Sequence, residues 1–360
     1  MPARSIPPEI LDSIIELYAE DQKILCSCSL VAKSWLQSSR YRLFGDLTLH
    51  LGGLHEAKFL ALLEHPLCTF STSVRKLWIL PMQGTDLSNR VNNTITQLGK
   101  LTAVRTLRIH RQKIIPLQTL SALATAFKDI TTLVMMIRFA VLSDAIRFMC
   151  AFPLLEEVHF EPIRTPPGDF PSADIRMPPR LRSLHIDTLR SHERWFADNR
   201  VGTLTTLSLV NIRPLDDVSR LDEMLEIFNA SIRHLTLGFS TQSGDFAVQV
   251  NLSHNTELRY VEIDLTQLTR RHVLPAITSL RSPHLETIVW RNRRAFNFSA
   301  EFWTRLDDLL SDRDMLPVLN KFLIMASKPS KTIFNPRLHM PQCDALGILG
   351  GDEDIITGFD

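Results

Sequence analysis

The residues of this chain that could do chemistry stand singly rather than in groups. Cys26 and Cys28 are two positions apart on a predicted helix, so their thiols leave different faces and make a poor metal pair. His185 and His192 fall in different predicted elements. No phosphate loop of the form GxxxxGK followed by Ser or Thr occurs, and no GxGxxG follows a predicted strand. HExxH and GxSxG are absent too, and only 13 glycines occur in 360 residues. These features predict no catalytic residue, no metal ligand set and no cofactor, and they point away from an enzyme. What remains is the chemistry of recognition. Trp78, Arg108, His159, His185, Tyr260 and Glu262 recur at comparable places along the chain, and aromatic, Arg and His side chains of this kind anchor protein interfaces. Trp78 is the strongest single candidate, because an exposed Trp is unusual on an inert face.

The element that places these residues is a repeated phrase: an apolar residue, two mostly polar ones, an apolar residue, any residue, an apolar residue. It occurs as VRKLWI from Val74, VRTLRI from Val104, ITTLVM from Ile130, LEEVHF from Leu155 and LRSLHI from Leu181. It returns as LTTLSL from Leu204, IRHLTL from Ile232, LRYVEI from Leu258, LETIVW from Leu285 and LNKFLI from Leu319. The intervals between starts are 30, 26, 25, 26, 23, 28, 26, 27 and 34 residues. The last two apolar positions of each phrase are two apart, so both point to one face of a strand and pack inward. The positions beside them point outward, and these carry the six candidate residues above.

The segments between phrases have helical periodicity. In residues 220 to 231, Leu221, Leu225 and Phe228 fall at i, i+4 and i+7, and residues 55–66, 117–129 and 300–312 read the same way. Strand, helix and return, repeated about ten times, predicts an α/β solenoid with a parallel sheet inside and helices outside. The regular period and recurring phrase disfavour an ordinary doubly wound α/β domain.

The N-terminus differs. Pro7 and Pro8 can open a helix, and Glu9 suits its positive end. On that helix Ile10, Ile14 and Leu17 form one apolar stripe and Leu11, Ile15 and Tyr18 another. A second helix is expected over 23–32, and a third carries Trp35, Leu36, Tyr41, Leu43 and Phe44. About 40 residues are too few to bury so broad an apolar arc alone. The segment must pack on the neighbouring solenoid or on a separate protein. Residues 1–46 are therefore a helical segment, 47–340 the solenoid, and 341–360 a C-terminal cap and acidic tail.

Residues 47 to 325 resemble leucine-rich repeats. The Asn or Cys that often follows the phrase by three positions in that family is missing throughout, which implies irregular turns. The N-terminal segment resembles the F-box, fungal type. Ile6-Pro7-Pro8-Glu9-Ile10-Leu11 matches its Leu-Pro-x-Glu-Ile-Leu opening, and Leu30-Val31-Ala32-Lys33-Ser34-Trp35 matches its Leu-Val-x-x-x-Trp phrase. Ile6 stands in place of the frequent Leu, and Ala32 where Cys is common. The resemblance implies docking on the Skp adaptor of a cullin–RING ubiquitin ligase, with the repeats holding a protein substrate. It assigns adaptor contact, or support of that face, to Pro7, Pro8, Ile10, Leu11, Ile14, Leu25, Cys28, Val31 and Trp35. Two rivals stand beside this one: a leucine-rich-repeat scaffold or inhibitor whose N-terminal helices only cap the solenoid, and an enzyme with a site at the strand ends.

Charge and cysteine usage narrow the setting. Lys and Arg number 40 against 39 Asp and Glu, a net charge of +1, which argues against a dedicated nucleic-acid or membrane-surface binder. Five cysteines at irregular spacing suggest no disulfide framework. The apolar stretch around residue 140 is broken by Arg138, Asp144 and Arg147, too often for a membrane span. Together with an N-terminus unlike a signal peptide, these features place the chain in the cytoplasm or nucleus.

Overall fold

In the computed structural model, the first apolar residue of every phrase is sealed from water. Val74, Val104, Ile130, Leu155, Leu181, Leu204, Ile232, Leu258, Leu285 and Leu319 are all 2% exposed or less. The structure describes residues 7–53, 55–81, 89–161, 175–187, 195, 199, 202–212, 218–229, 231–239, 250–264, 273–292, 298–326 and 335–350. The chain divides into two compact units, one of residues 1–158 and 162–180 and the other of 159–161 and 181–360.

The first unit begins with three helices, α1 (Pro8–Glu16), α2 (Gln22–Val31) and α3 (Lys33–Phe44). The Asp21 carboxylate caps α2 by accepting the Lys23 and Ile24 amides at 2.9 and 3.0 Å. Leu11, Ile15 and Leu25 form the small core of this bundle, with Trp35 and Leu43 packed against it. There follow β1 (Asp46–Leu51), α4 (Glu56–Glu64), β2 (Lys76–Pro81), α5 (Asn89–Leu98), β3 (Thr106–Ile114), α6 (Leu117–Ala126), β4 (Thr132–Arg138) and α7 (Leu142–Cys150). The pairings β1 to β2, β2 to β3 and β3 to β4 are parallel. The division between units runs through β5 (Glu157–Phe160).

The second unit holds β6 (Ser183–Ile186), β7 (Thr206–Ile212), α8 (Val218–Ile227), β8 (His234–Phe239), β9 (Tyr260–Asp264), α9 (Val273–Ser279), β10 (Thr287–Asn292), α10 (Ala300–Ser311), β11 (Lys321–Ala326) and α11 (Pro341–Ala345). From β6 to β11 each strand is parallel to the next. In both units spatial order is chain order, as a repeat of strand and return requires. Four helices expected from periodicity are present as α4, α6, α8 and α10.

Successive phrases are joined by one recurrent hydrogen-bond pattern. The carbonyl of the second residue of a phrase accepts two consecutive amides of the next. Gly45 accepts Arg75 and Lys76, Arg75 accepts Arg105 and Thr106, Arg105 accepts Thr131 and Thr132, and Thr131 accepts Glu156 and Glu157. In the second unit Arg182, Thr205, Arg233, Arg259 and Glu286 accept in the same way. All eighteen bonds run from 2.8 to 3.1 Å. The Gly45 link exposes a phrase that the sequence pattern hid, Phe44-Gly45-Asp46-Leu47-Thr48-Leu49. Its leading Phe belongs to α3, so the helical segment runs into the first repeat without a linker. A methyl group on Gly45 would stand 2.6 Å from the Tyr41 carbonyl oxygen, so only glycine fits at this junction.

Irregular turns appear where the family's Asn or Cys is missing. Register slips between Arg111 and Ile114 and between Leu209 and Ile212. Asn211 takes a left-handed φ of 54°, which Asn tolerates better than most side chains, and its amide donates to Asp187. At the C-terminal end, Phe322 donates to Ile348 at 2.7 Å and Gly350 donates to Phe322 at 3.1 Å, covering the edge of β11. The buried Asp307 carboxylate fixes this cap, accepting the Gln342 and Cys343 amides at 2.9 and 2.8 Å.

Strand parity makes a direct prediction. Leu235 is fully buried while its neighbour His234 is exposed. Leu235→Ala should lower stability by about 2–5 kcal/mol and His234→Ala by less than about 0.5 kcal/mol, measured by chemical denaturation. Equal costs would mean that the phrase has been read on the wrong face.

Candidate functional site

Two surfaces gather the residues that the sequence singled out, both of them apolar or aromatic and both exposed by the geometry of their elements. On α1 the two sequence-predicted stripes separate. Leu11 and Ile15 turn inward at 2% and 1% exposure, while Ile10 and Leu17 remain 54% and 80% exposed, with Ile14 half-buried between them. Tyr18, on the same predicted stripe as Leu11 and Ile15, is 43% exposed. Leu30 and Val31 end α2 at 86% and 67%. Isolated exposed apolar side chains are ordinary, but α1 leaves both Ile10 and Leu17 of one stripe exposed.

Of the residues implied by the F-box resemblance, Pro7, Pro8, Ile10 and Val31 are exposed, and Ile14, Cys28 and Trp35 are half-buried. Leu11 and Leu25 are bundle core. They can support a docking face but not form it, because three short helices have few other side chains to bury. The bundle is also tied to the first repeat: Phe44 meets Phe70 with ring centroids 5.0 Å apart, and Phe70 meets Phe59 at 5.8 Å.

The second surface is the outward side of the strands, taken unit by unit. In the first, Trp78 and Arg108 are register partners on β2 and β3. The guanidinium lies 6.0 Å from the indole centroid, a cation–π pair in which Arg108 is exposed and Trp78 half-buried. In the second, His159 and His185 stack with centroids 4.0 Å apart and planes 5° from parallel. Ser183 Oγ lies 2.9 Å from His185 Nε2, fixing that ring from the neighbouring outward position. The pairing of these two imidazoles was invisible along the sequence. It follows only once equivalent positions of consecutive phrases are brought side by side.

Further along the second unit, His234 stands 6.0 Å from Tyr260, ring to ring. The Tyr260 hydroxyl donates to Glu262 at 2.8 Å, and Arg291 forms an ion pair with the same carboxylate. Burial and Glu262 hold the Tyr260 phenol well above its ordinary pKa, so it stays a donor. Glu262 itself is 8% exposed. It was expected as an outward contact, but neighbouring Tyr and Arg side chains consume it, and Tyr260 with Arg291 presents the surface instead. Ser208 and Val289, also at outward positions, are buried as well. Trp290 points inward among Phe298, Phe302, Trp303 and Phe322. Residues 293–297, His192 and the acidic tail from 351 lie outside the described residues.

No helix among the described residues is long and apolar enough to cross a membrane. Comparison with known proteins adds little beyond the architecture. No family profile matches the chain, and no curated protein does. Solved structures similar to it include the leucine-rich-repeat protein LegL7 of Legionella pneumophila, at 14% identity and a TM-score of 0.44 over 78% of this chain and 96% of that one. A Bacteroides fragilis protein shows 16% identity and a TM-score of 0.39 over 81% and 76% of the two chains. The yeast complex of Rad7 and Elc1 shows 11% and 0.29 over 91% and 90%. At such values the likeness carries no argument about function, and the repeat architecture rests on the chain's own phrases and strand order.

The thiols make a second prediction. Burial pushes Cys150 up to about 12, and burial with Asp307 beside it raises Cys343 still further, whereas Cys26 is exposed. A raised pKa leaves almost no thiolate near neutral pH, and thiolate is the reactive form. Native chain treated with a thiol reagent at pH 8 should modify Cys26 fastest and spare Cys150 and Cys343 until it is unfolded. Rapid labelling of Cys343 in the folded chain would contradict the buried cap.

Proposed function

We propose that this chain is a substrate-recognition subunit of a Skp–cullin–F-box ubiquitin ligase. Its mechanism is proximity. The N-terminal helices attach to a Skp-type adaptor, and the outward strand faces hold a protein target near the conjugating enzyme. Bond making belongs to other subunits, so the chain needs no catalytic residue and no cofactor of its own.

One observation carries the reading: on the apolar stripe of α1, Ile10 and Leu17 stay open to solvent and Ile14 is only half-buried, although the helices already have a core. A segment serving only to cap the first repeat would turn that stripe toward the repeat. Instead the contact with the repeat is made through Phe44 at the far end of α3. Burying two or three such side chains on a partner stabilises a complex by several kcal/mol, at roughly 1.5–3 kcal/mol each before association costs. The F-box resemblance of residues 6 to 44 names the partner class. The scaffold reading keeps one point in its favour, since the bundle is rigidly joined to the first repeat through Gly45.

Calorimetry of the chain with a Skp-type adaptor tests this. The parent should bind at micromolar affinity or tighter, and an Ile10→Asp, Leu17→Asp double variant should bind about 100-fold more weakly while keeping its unfolding midpoint. Trp78→Ala should leave adaptor affinity unchanged. No binding by the folded parent would transfer the case to the scaffold.

A further inference from the structure

In β5 and β6 every second residue turns to the outward face. Val158, Phe160, Leu184 and Ile186 are buried, while Glu157, His159, Ser183 and His185 are half-buried on the other side. Within the second unit, the Asp187 amide donates to the Phe160 carbonyl at 2.9 Å, which sets the two strands side by side and brings His159 level with His185. The two histidines are 26 positions apart, one in each of two consecutive phrases, so no ligand spacing announces them along the sequence.

Their imidazoles lie parallel, with 5° between planes and 4.0 Å between centroids, and they offer ring nitrogens within 4.8 Å of one another. Two imidazoles that share a tetrahedral ion at about 2.0–2.1 Å hold their nitrogens roughly 3.3 Å apart. A small side-chain rotation closes that difference without moving the backbone. Ser183 Oγ, 2.9 Å from His185 Nε2, orients that ring in the way an outer partner orients a metal ligand. Glu157, two positions before His159, adds a carboxylate to the same face of β5. The backbone beneath is firm, since all four residues of β6 keep register with β7, and donors on paired strands are held more closely than donors on loops.

We infer that His159 and His185, with Glu157 as third ligand, bind a divalent late transition-metal ion of the zinc class. Two imidazole nitrogens and one carboxylate oxygen suit zinc, copper or nickel, whereas calcium and magnesium take oxygen donors. Three protein ligands leave the fourth tetrahedral position to water. The inference goes beyond adaptor docking and does not depend on it, because no residue of the N-terminal helices takes part.

The test is calorimetric titration of the full chain, stripped with EDTA and dialysed, with zinc chloride. One ion per chain should bind with a dissociation constant of about 100 μM or lower, and magnesium chloride over the same range should not bind. His159→Ala and His185→Ala should each weaken zinc binding by at least about 10-fold, and Glu157→Gln by less. Two exposed residues elsewhere serve as controls: His254→Ala and Cys26→Ser should leave the affinity unchanged. Unfolding midpoints establish that the variants fold. Should a histidine variant fail to fold, NMR of the parent decides, because substoichiometric copper should broaden the ring signals of His159 and His185 before those of other histidines. No saturable zinc binding by the parent, equal binding of magnesium, or zinc affinity unchanged in both folded histidine variants would each overturn the proposal. So would zinc binding lost in either control, or copper broadening that begins at other histidines.

Discussion

The constraint on which the rest depends is the sharing of one carbonyl by two amides at the entry to nine of the phrases. A backbone carbonyl has two lone pairs, and here both are used by consecutive residues of the next repeat. That geometry fixes the register between neighbouring phrases, and register decides everything on the outward side. A slip of one residue would put Leu235 in water and His234 in the core. Because the register holds, the outward positions of consecutive strands become cross-strand neighbours. This is why Trp78 meets Arg108, His159 meets His185, and His234 meets Tyr260.

The same carbonyl pattern explains how the N-terminal helices can be both attached and available. Gly45 serves as the first shared acceptor and also as the residue that lets α3 pass directly into β1. The bundle is therefore positioned by its last turn. Its first helix is left with a core too small to cover both of its apolar stripes, and one remains open. Attachment at one end and exposure at the other is the arrangement that a docking module on a repeat scaffold needs.

Much of this was legible in the residues. The phrase is a period-two signal flanked by helical stretches, and neither half of that signal needs tertiary information. All ten predicted first positions are buried, and α4, α6, α8 and α10 fall where periodicity placed them. Other features depend on partners distant in sequence. Whether Ile10 or Leu11 faces inward is not set by α1 alone, since both stripes are apolar, and α2 and α3 decide it. Glu262 looks exposed in the strand pattern and is covered by Tyr260 and Arg291, the latter from the following strand. The phrase at Phe44 escaped notice because its first residue closes a helix and its second is glycine.

The most direct measurement is native-state hydrogen exchange at the shared-carbonyl amides, among them Thr205 and Thr206, Arg233 and His234, and Arg259 and Tyr260. The account predicts that each pair exchanges slowly and together, with protection near that of the buried strand positions, although the side chains of Arg233, His234 and Arg259 are exposed. Fast exchange at these amides, on the scale of surface turns, would contradict it. It would mean that the repeats are held by apolar packing alone and that the outward face is not set in register.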